Sequence, residues 1–160
     1  MIILGLDPGI ALTGYGVISV QGNSYRVLAY DAIETPSRLA HPLRLKLLFG
    51  TLKSLCHKYQ PREAAIEQLF FSRNVSTAFT VGQARGVALL AVAEAGAEVF
   101  EYTPLQVKST ITGSGRASKQ QVQFMVRALL GLPAVPKPDD VADALAIAIC
   151  HCHLRGSVLK

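Results

Sequence analysis

Four carboxylates of this chain stand in apolar surroundings, where an unpaired charge is costly. They are Asp7 after the run MIILGL, Glu67 after AAI, and Asp140 and Asp143 in DDVADALAIAIC. Oxygen ligands without histidine or thiolate suit Mg²⁺ or Mn²⁺, so the pattern favours a metal site. Two such ions about 4 Å apart can clamp the attacking and leaving oxygens of a phosphodiester. The chemistry indicated is phosphodiester hydrolysis.

Each acid also has an ordinary structural interpretation. Asp7 precedes Pro-Gly and could start a turn, Glu67 could be a surface acid at a strand end, and Asp140 could favour a helix N-terminus. Asp143 fits such an explanation less well, because it lies about one turn into the last helix between two alanines. Asp140 and Asp143 share a helix face by their spacing. A common site is therefore the simpler hypothesis.

The elements that must position these acids alternate between strands and helices. Strands are predicted over residues 2–7, 15–20, 25–33, 63–67 and 98–102, the first three as a meander, and helices over 43–60 and 76–95. A further helix starts at Pro104. Ser118 to Gln121 matches a capping box for the next helix, and Asp139 is the expected N-cap of the last. The pattern predicts an α/β domain.

Composition limits the class of protein. The chain has 160 residues, 50% of them hydrophobic, which fits one globular domain over residues 1–160 and excludes a disordered chain. Its three cysteines form no CxxC pair, so we expect a reducing cytoplasm rather than a disulfide framework. The longest apolar runs fall well short of the roughly 20 residues of a membrane span. We expect a soluble cytoplasmic protein with no membrane partner.

The positive charge is concentrated in one stretch. The formal net charge is +5, and no acid occurs between Glu101 and Asp139. The cations of this stretch are Lys108, Arg116, Lys119, Arg127 and Lys137. Uncompensated positive charge attracts phosphates. The charge alone fits solvated helix faces equally well.

Four blocks of sequence, in order and spanning nearly the whole chain, carry a family resemblance. They are LGLDPGIALTGYGV, AIEQLFFSRNVSTAFTVGQARGVALL, EYTPLQVKSTITGSGRASKQQVQFMVRALLGL and DDVADALAIAICHCH. Together they resemble the RuvC family of Holliday junction resolvases. The resemblance implies an RNase H-like fold with a mixed five-stranded sheet flanked by helices. It also implies a homodimer, four-way junction DNA as substrate and the RuvAB branch-migration complex as a partner.

The resemblance assigns roles to individual residues. The catalytic carboxylates, which also bind two Mg²⁺ ions with Mn²⁺ as a substitute, correspond to Asp7, Glu67, Asp140 and Asp143. The three-residue spacing selects Asp140 rather than Asp139, which is left as a cap or outer group. Lys119 corresponds to a lysine beside the active site, where a cation would offset transition-state charge. The products would carry a 5′-phosphate and a 3′-hydroxyl.

Further residues are implied as DNA contacts: Phe70, Arg73, Asn74, Lys108, Arg116 and Lys119. Phe70 would stack on bases near the crossover while Phe71 lies in the core. Alternatively, both rings are packed in the core. Lys108 could equally be an exposed lysine on a helix.

Two other functions compete with a nuclease. A strand, an Asp and a glycine turn also open ATP-dependent kinases of the actin type, but those need a second lobe. A DNA-binding module without catalysis would use the basic stretch and leave the four acids without a purpose. The tract Cys150-His151-Cys152-His153 lacks zinc spacing and favours helix packing.

Overall fold

A five-stranded sheet with helices on both faces forms the centre of the protein. The structure is a computed structural model that describes residues 1–22, 24–68 and 75–158. In chain order the elements are β1 Ile2–Asp7, β2 Leu12–Gln21, β3 Ser24–Glu34, α1 His41–Tyr59, β4 Glu63–Glu67, α2 Val75–Glu94, β5 Glu98–Tyr102, α3 Pro104–Thr112, α4 Lys119–Leu129 and α5 Asp139–Val158. Across the sheet the strand order is β3-β2-β1-β4-β5.

The sheet is mixed, as the family resemblance implies, and that prediction is confirmed. β1, β2 and β3 form an antiparallel meander, whereas β4 and β5 run parallel to β1. Parallel neighbours need crossover connections, and α1 and α2 lie in them. The carboxyl ends of β1 and β4 therefore meet at one edge, with Leu6 paired to Ile66. The next residues, Asp7 and Glu67, end the two strands at this edge.

Strand alternation decides which face each side chain joins. Leu4 and Leu6 of β1 pack in the core beneath α1 and α2, while Ile3 packs in the core beneath α3, α4 and α5. Asp7 follows Ile3 by four residues, an even spacing, and so lies on the same face as Ile3, beneath α3, α4 and α5. Ala65 of β4 is in the same core as Ile3, which puts Glu67 on that face too. Both acids thus face the layer that contains α5.

Glycines in the sheet let α5 lie against β1 and β2. A Cβ added at Gly5 would overlap the carbonyl oxygen of Ala144, and one at Gly14 would overlap that of Asp140. Gly14 pairs directly with Asp7 across the two strands. The first turn of α5 is therefore held next to Asp7 because the sheet carries no side chain there.

The starts of α3 and α4 agree with the sequence prediction, whereas α1 and α2 begin two residues and one residue earlier than predicted. Ser118 and Gln121 form a reciprocal capping box at α4, which confirms that prediction. α5 begins at Asp139 itself, so the predicted N-cap position is one residue late. The Asp139 carboxylate instead accepts hydrogen bonds from Lys137 and Gln123. Within the described residues, no helix has the length and apolar character needed to span a membrane.

Candidate active site

The Asp7 carboxyl interacts electrostatically with three other acids. Burial is the largest effect on its carboxyl, followed by repulsion from Asp143, Glu67 and Asp140, and together they raise its pKa from 3.8 to about 7. Attraction to Lys119 opposes this rise. The three other predicted acids therefore lie close enough to Asp7 to repel its charge, although the four come from β1, β4 and α5.

The pKa values of two other acids, Glu67 and Asp143, are also raised. Burial raises the pKa of Glu67, and repulsion from Asp143 adds to it. Burial also raises the pKa of Asp143, against the effect of the hydrogen bond from Lys119. Strongly perturbed carboxylates on one side of a cleft are typical of functional sites.

Lys119 is the cation closest to this cluster. Its Nζ lies 3.0 Å from Oδ2 of Asp143 and 3.6 Å from Oδ2 of Asp139. Partial burial disfavours the ammonium, but the hydrogen bond and charge of Asp143, with those of Asp139, outweigh it and raise the pKa of Lys119. The side chain is about half exposed, so it also faces solvent in the cleft.

Asp139 differs from its neighbours on α5. Its carboxylate accepts from Lys137 Nζ at 2.8 Å and from Gln123 Nε2 at 3.0 Å. These bonds, with the nearby Lys119, hold the pKa of Asp139 below its usual range. The negative charge of Asp139 is thus balanced by neighbouring side chains. The sequence analysis had left Asp139 as a cap or an outer group beside the four predicted acids.

A cleft opens beside the acids and contains two of the predicted DNA-binding lysines. Its volume is about 190 Å³, and its polar lining residues are Glu67, Lys108, Lys119 and Asp143. Pro104 and Val107 of α3 and Val122 of α4 form part of its apolar wall. A phosphate in this cleft would meet both lysines next to the carboxylates.

The donor set suits a hard divalent cation, because all four acids offer carboxylate oxygens alone. Over residues 1–22, 24–68 and 75–158, no three histidine, cysteine or acidic side chains are close enough to form a ready coordination shell. Burial, and after it repulsion from the other acids, raises the pKa of Asp7, so these carboxylates are costly to hold together without positive charge. Lys119 supplies part of that charge to Asp143.

The other predicted DNA contacts are placed differently. Phe70, Arg73 and Asn74 lie outside the described residues, as does Phe71. Arg116 is exposed and lines a separate groove beside α4 rather than the cleft.

Arg85 is a residue that the sequence argument missed. This arginine of α2 is 12% exposed, and its guanidinium pairs with Glu101 at 2.9 Å. Its Nε also donates to the backbone oxygen of Glu67 at 3.4 Å. Arg85 therefore joins α2 to the ends of β4 and β5. A signal existed, since Arg85 carries the sole charge between residues 75 and 93 of the sequence.

A second unpredicted arrangement holds the far half of α5. His151 is fully buried; its Nδ1 bonds the Tyr102 hydroxyl and its Nε2 bonds Glu63, each at 2.7 Å. Arg155 also pairs with Glu63. Burial lowers the pKa of His151, which favours a neutral ring that accepts from Tyr102 and donates to Glu63. His151 thus has the packing role that the sequence favoured over zinc.

Comparison with known proteins adds independent information. Residues 3–151 match the family model described as "Crossover junction endodeoxyribonuclease RuvC". A protein of that name from Ruminiclostridium cellulolyticum is 55% identical over 161 residues, covering 99% of this chain and 97% of the relative. Another from Alkaliphilus oremlandii is 58% identical over 153 residues, covering 96% of this chain and 93% of the relative.

Solved structures agree with the sequence matches. Thermus thermophilus RuvC in complex with a Holliday junction substrate superposes with a TM-score of 0.92 at 37% identity, covering 98% of this chain and 96% of that one. The structure of T. thermophilus RuvC gives 0.90, also at 37% identity, covering 98% of this chain and 97% of that one. These matches confirm the RNase H-like fold. On the evidence of its sequence, its sheet topology and these relatives, the chain belongs to the RuvC family of crossover junction endodeoxyribonucleases.

Proposed function

We propose that this protein resolves four-way DNA junctions by paired, symmetric nicks. Hydrolysis of each phosphodiester would leave a 5′-phosphate and a 3′-hydroxyl. The observation that carries the proposal is the electrostatic coupling of Asp7 to Glu67, Asp140 and Asp143, with Lys119 bonded to Asp143. Family membership and the junction bound by the T. thermophilus relative support the choice of substrate.

The cofactor in this proposal is Mg²⁺, two ions per site, with Mn²⁺ as a substitute. The residues that would hold them are Asp7, Glu67, Asp140 and Asp143. Bound ions supply positive charge that activates water for attack at phosphorus and stabilises the departing 3′ oxygen. The support is the donor set and the raised pKa of Asp7, since positive charge relieves the repulsion among these acids.

Lys119 and Lys108 provide the cationic side of the cleft. The ammonium of Lys119 is exposed toward the cleft while it bonds Asp143, so it can also donate to a phosphoryl oxygen of the DNA. Such a donor strengthens its interaction as negative charge develops in the transition state. Lys108 lines the same cleft from α3 and would hold the backbone of the cut strand.

A homodimer is the proposed working unit, and α2 supplies the surface for it. Phe79 and Leu90 of this helix are 68% and 60% exposed. Gly82 and Gly86 lie between them on the same face, and a Cβ added at either would have no described atom within 4 Å apart from its chain neighbours and the adjacent backbone of its own helix. Large apolar side chains flanking small residues allow two helices to approach closely. A two-fold dimer would present two equivalent sites to two equivalent strands.

The remaining contacts follow from family membership. Phe70, Arg73 and Asn74 would contact the junction near the crossover, and Arg116 would contact its backbone. The proposed protein partner is the RuvAB branch-migration complex. The proposed location is the cytoplasm, and residues 1–160 are proposed to form one domain.

The test compares three synthetic substrates with Mg²⁺: a four-way junction, a linear duplex of the same sequence and a flap. The proposal expects symmetric nicks in two opposite strands of the junction, with ends that a ligase can reseal directly. Equal cutting of all three substrates would indicate a general nuclease. Junction binding without cutting in either Mg²⁺ or Mn²⁺ would instead indicate a binding module.

A further inference from the structure

Two arginines of the acid-free stretch lie outside the active-site cleft. Lys108 and Lys119 line that cleft, whereas Arg116 and Arg127 do not. Arg116 lies in the loop before α4, and Arg127 lies in its last turn. Arg116 has so far only the backbone contact that family membership implies, and Arg127 has no assigned role, yet both are exposed.

Arg116 lines a groove along the outer side of α4, called the α4 groove below. It has a volume of about 590 Å³, and its lining includes Thr112, Ser114, Gln120, Phe124 and Met125. Its rim therefore contains one cation, one aromatic ring and several hydrogen-bonding side chains. Asp and Glu are absent from the sequence between Glu101 and Asp139, so none lies on α3 or α4.

Phe124 and Arg127 form a pair at this groove. Phe124 is 57% exposed, which is unusual for a large apolar ring. The guanidinium carbon of Arg127 lies 5.8 Å from the centre of the ring, a cation–π arrangement that restricts the arginine. Arg127 is not among the residues that line the groove, but this contact places it beside the groove's aromatic ring. An exposed ring with arginines nearby is typical of grooves that hold a nucleic-acid strand.

Arg127 lies a few nucleotide spacings along α4 from the lysine that contacts the acids. α4 starts at Lys119, which contacts Asp143. Arg127 follows eight residues later, about 12 Å along the helix axis at 1.5 Å per residue. One strand of duplex DNA carries a phosphate every 3.4 Å or so of its axis. Arg127 could therefore meet a phosphate about three or four nucleotides from one held at Lys119.

We propose that the α4 groove binds the sugar–phosphate backbone of the DNA strand that leaves the active-site cleft. This inference rests on the proposed function and extends it to residues that had no role, Phe124 and Arg127. Arg116 and Arg127 each contact a phosphate, while Phe124 packs against a deoxyribose between them. Charge favours DNA over an apolar protein segment as the occupant, because the groove carries positive charge and no acid from α3 or α4.

The test measures the affinity for a synthetic four-way junction without Mg²⁺ over a series of salt concentrations. Arg127→Gln removes one phosphate contact, so the slope of log affinity against log salt should become shallower by about 0.9. At 0.1 M salt that loss corresponds to an affinity about eightfold lower. Arg127→Lys, which keeps the charge, should restore most of the slope.

The matched control is Lys58→Gln. Lys58 also lies over an aromatic ring, 5.0 Å from the centre of Tyr59, but on α1 in the opposite layer. Its substitution should leave the slope unchanged. An unchanged slope for Arg127→Gln, or an equal change for Lys58→Gln, would overturn the proposal. Either result would favour a protein rather than DNA as the occupant of the α4 groove. Because binding is measured without cutting, a wild-type protein that fails to nick would refute the proposed function alone.

Discussion

Replacing Asp7 with asparagine removes the most perturbed charge of the acid cluster while keeping nearly the same side-chain shape. Burial and repulsion raise its pKa from 3.8 to about 7, so the folded protein holds a proton that the unfolded chain releases. That raised pKa stabilises the fold fully below about pH 3.8, and the stabilisation is lost as the pH rises through 7. Without a divalent cation, the wild-type protein should therefore weaken from pH 5 to pH 8.

The size of this effect follows from the two pKa values. For a single site that titrates at 3.8 unfolded and about 7 folded, the loss between pH 5 and pH 8 is about 2.5 kcal/mol. For a chain of this length it corresponds to roughly 5–10 °C in Tm. Asp7→Asn should remove most of this pH dependence.

The assay is thermal unfolding in EDTA at pH 5 and pH 8, combined with junction binding and nicking. The matched control is Asp31→Asn, since Asp31 is exposed on β3. Asp7→Asn should be more stable than wild type at pH 8, bind the junction and fail to nick it. Mg²⁺ should stabilise wild type more than the variant. Equal pH dependence in wild type and Asp7→Asn, or nicking by the variant in ordinary Mg²⁺, would refute the reasoning.

Four further substitutions test other parts of the structure. Lys119→Ala should lower the nicking rate about 100-fold or more while junction affinity changes little, and the opposite pattern would make it a phosphate anchor. Arg85→Gln should slow nicking without weakening junction binding. Lys53→Gln, which breaks the exposed ion pair between Lys53 of α1 and Glu94 of α2, should change neither. Tyr102→Phe leaves a buried nitrogen of His151 unpaired, so the free energy of unfolding in denaturant should fall by about 1–3 kcal/mol. A fall below about 0.5 kcal/mol would contradict the hydrogen bond between Tyr102 and His151. Phe79→Glu should yield monomers in sedimentation at concentrations where wild type is dimeric; a dimeric variant would move the interface away from α2.

Sequence reasoning was strongest where neighbouring residues define the structure. The capping box at Ser118 and Gln121 was predicted and is present, because both partners lie within one helical turn. The strand ends at Asp7 and Glu67 were also predicted, since alternation and turn residues mark them locally. The family resemblance, which spans most of the chain, implied a mixed five-stranded sheet flanked by helices, whereas the strand order came only from the structure.

Long-range contacts were beyond the sequence. The contact of Arg85 with the end of β4 links residues 18 positions apart, and the bond of His151 to Glu63 links residues 88 apart. Neither pair has a local pattern. The N-cap prediction for Asp139 was one residue late because α5 begins at Asp139 itself, and the bond of its carboxylate to Gln123 of α4 had no local pattern either.

The chemistry of this protein was set by the sequence, through four acids in apolar runs and a basic stretch without acids. Their convergence was set by the tertiary structure. Parallel pairing brings the ends of β1 and β4 to one edge, and Gly5 and Gly14 let α5 approach the sheet there. Repulsion among the acids, and the contact of Lys119 with Asp143, exist only after that packing, because Coulomb interactions depend on distance in space rather than along the chain.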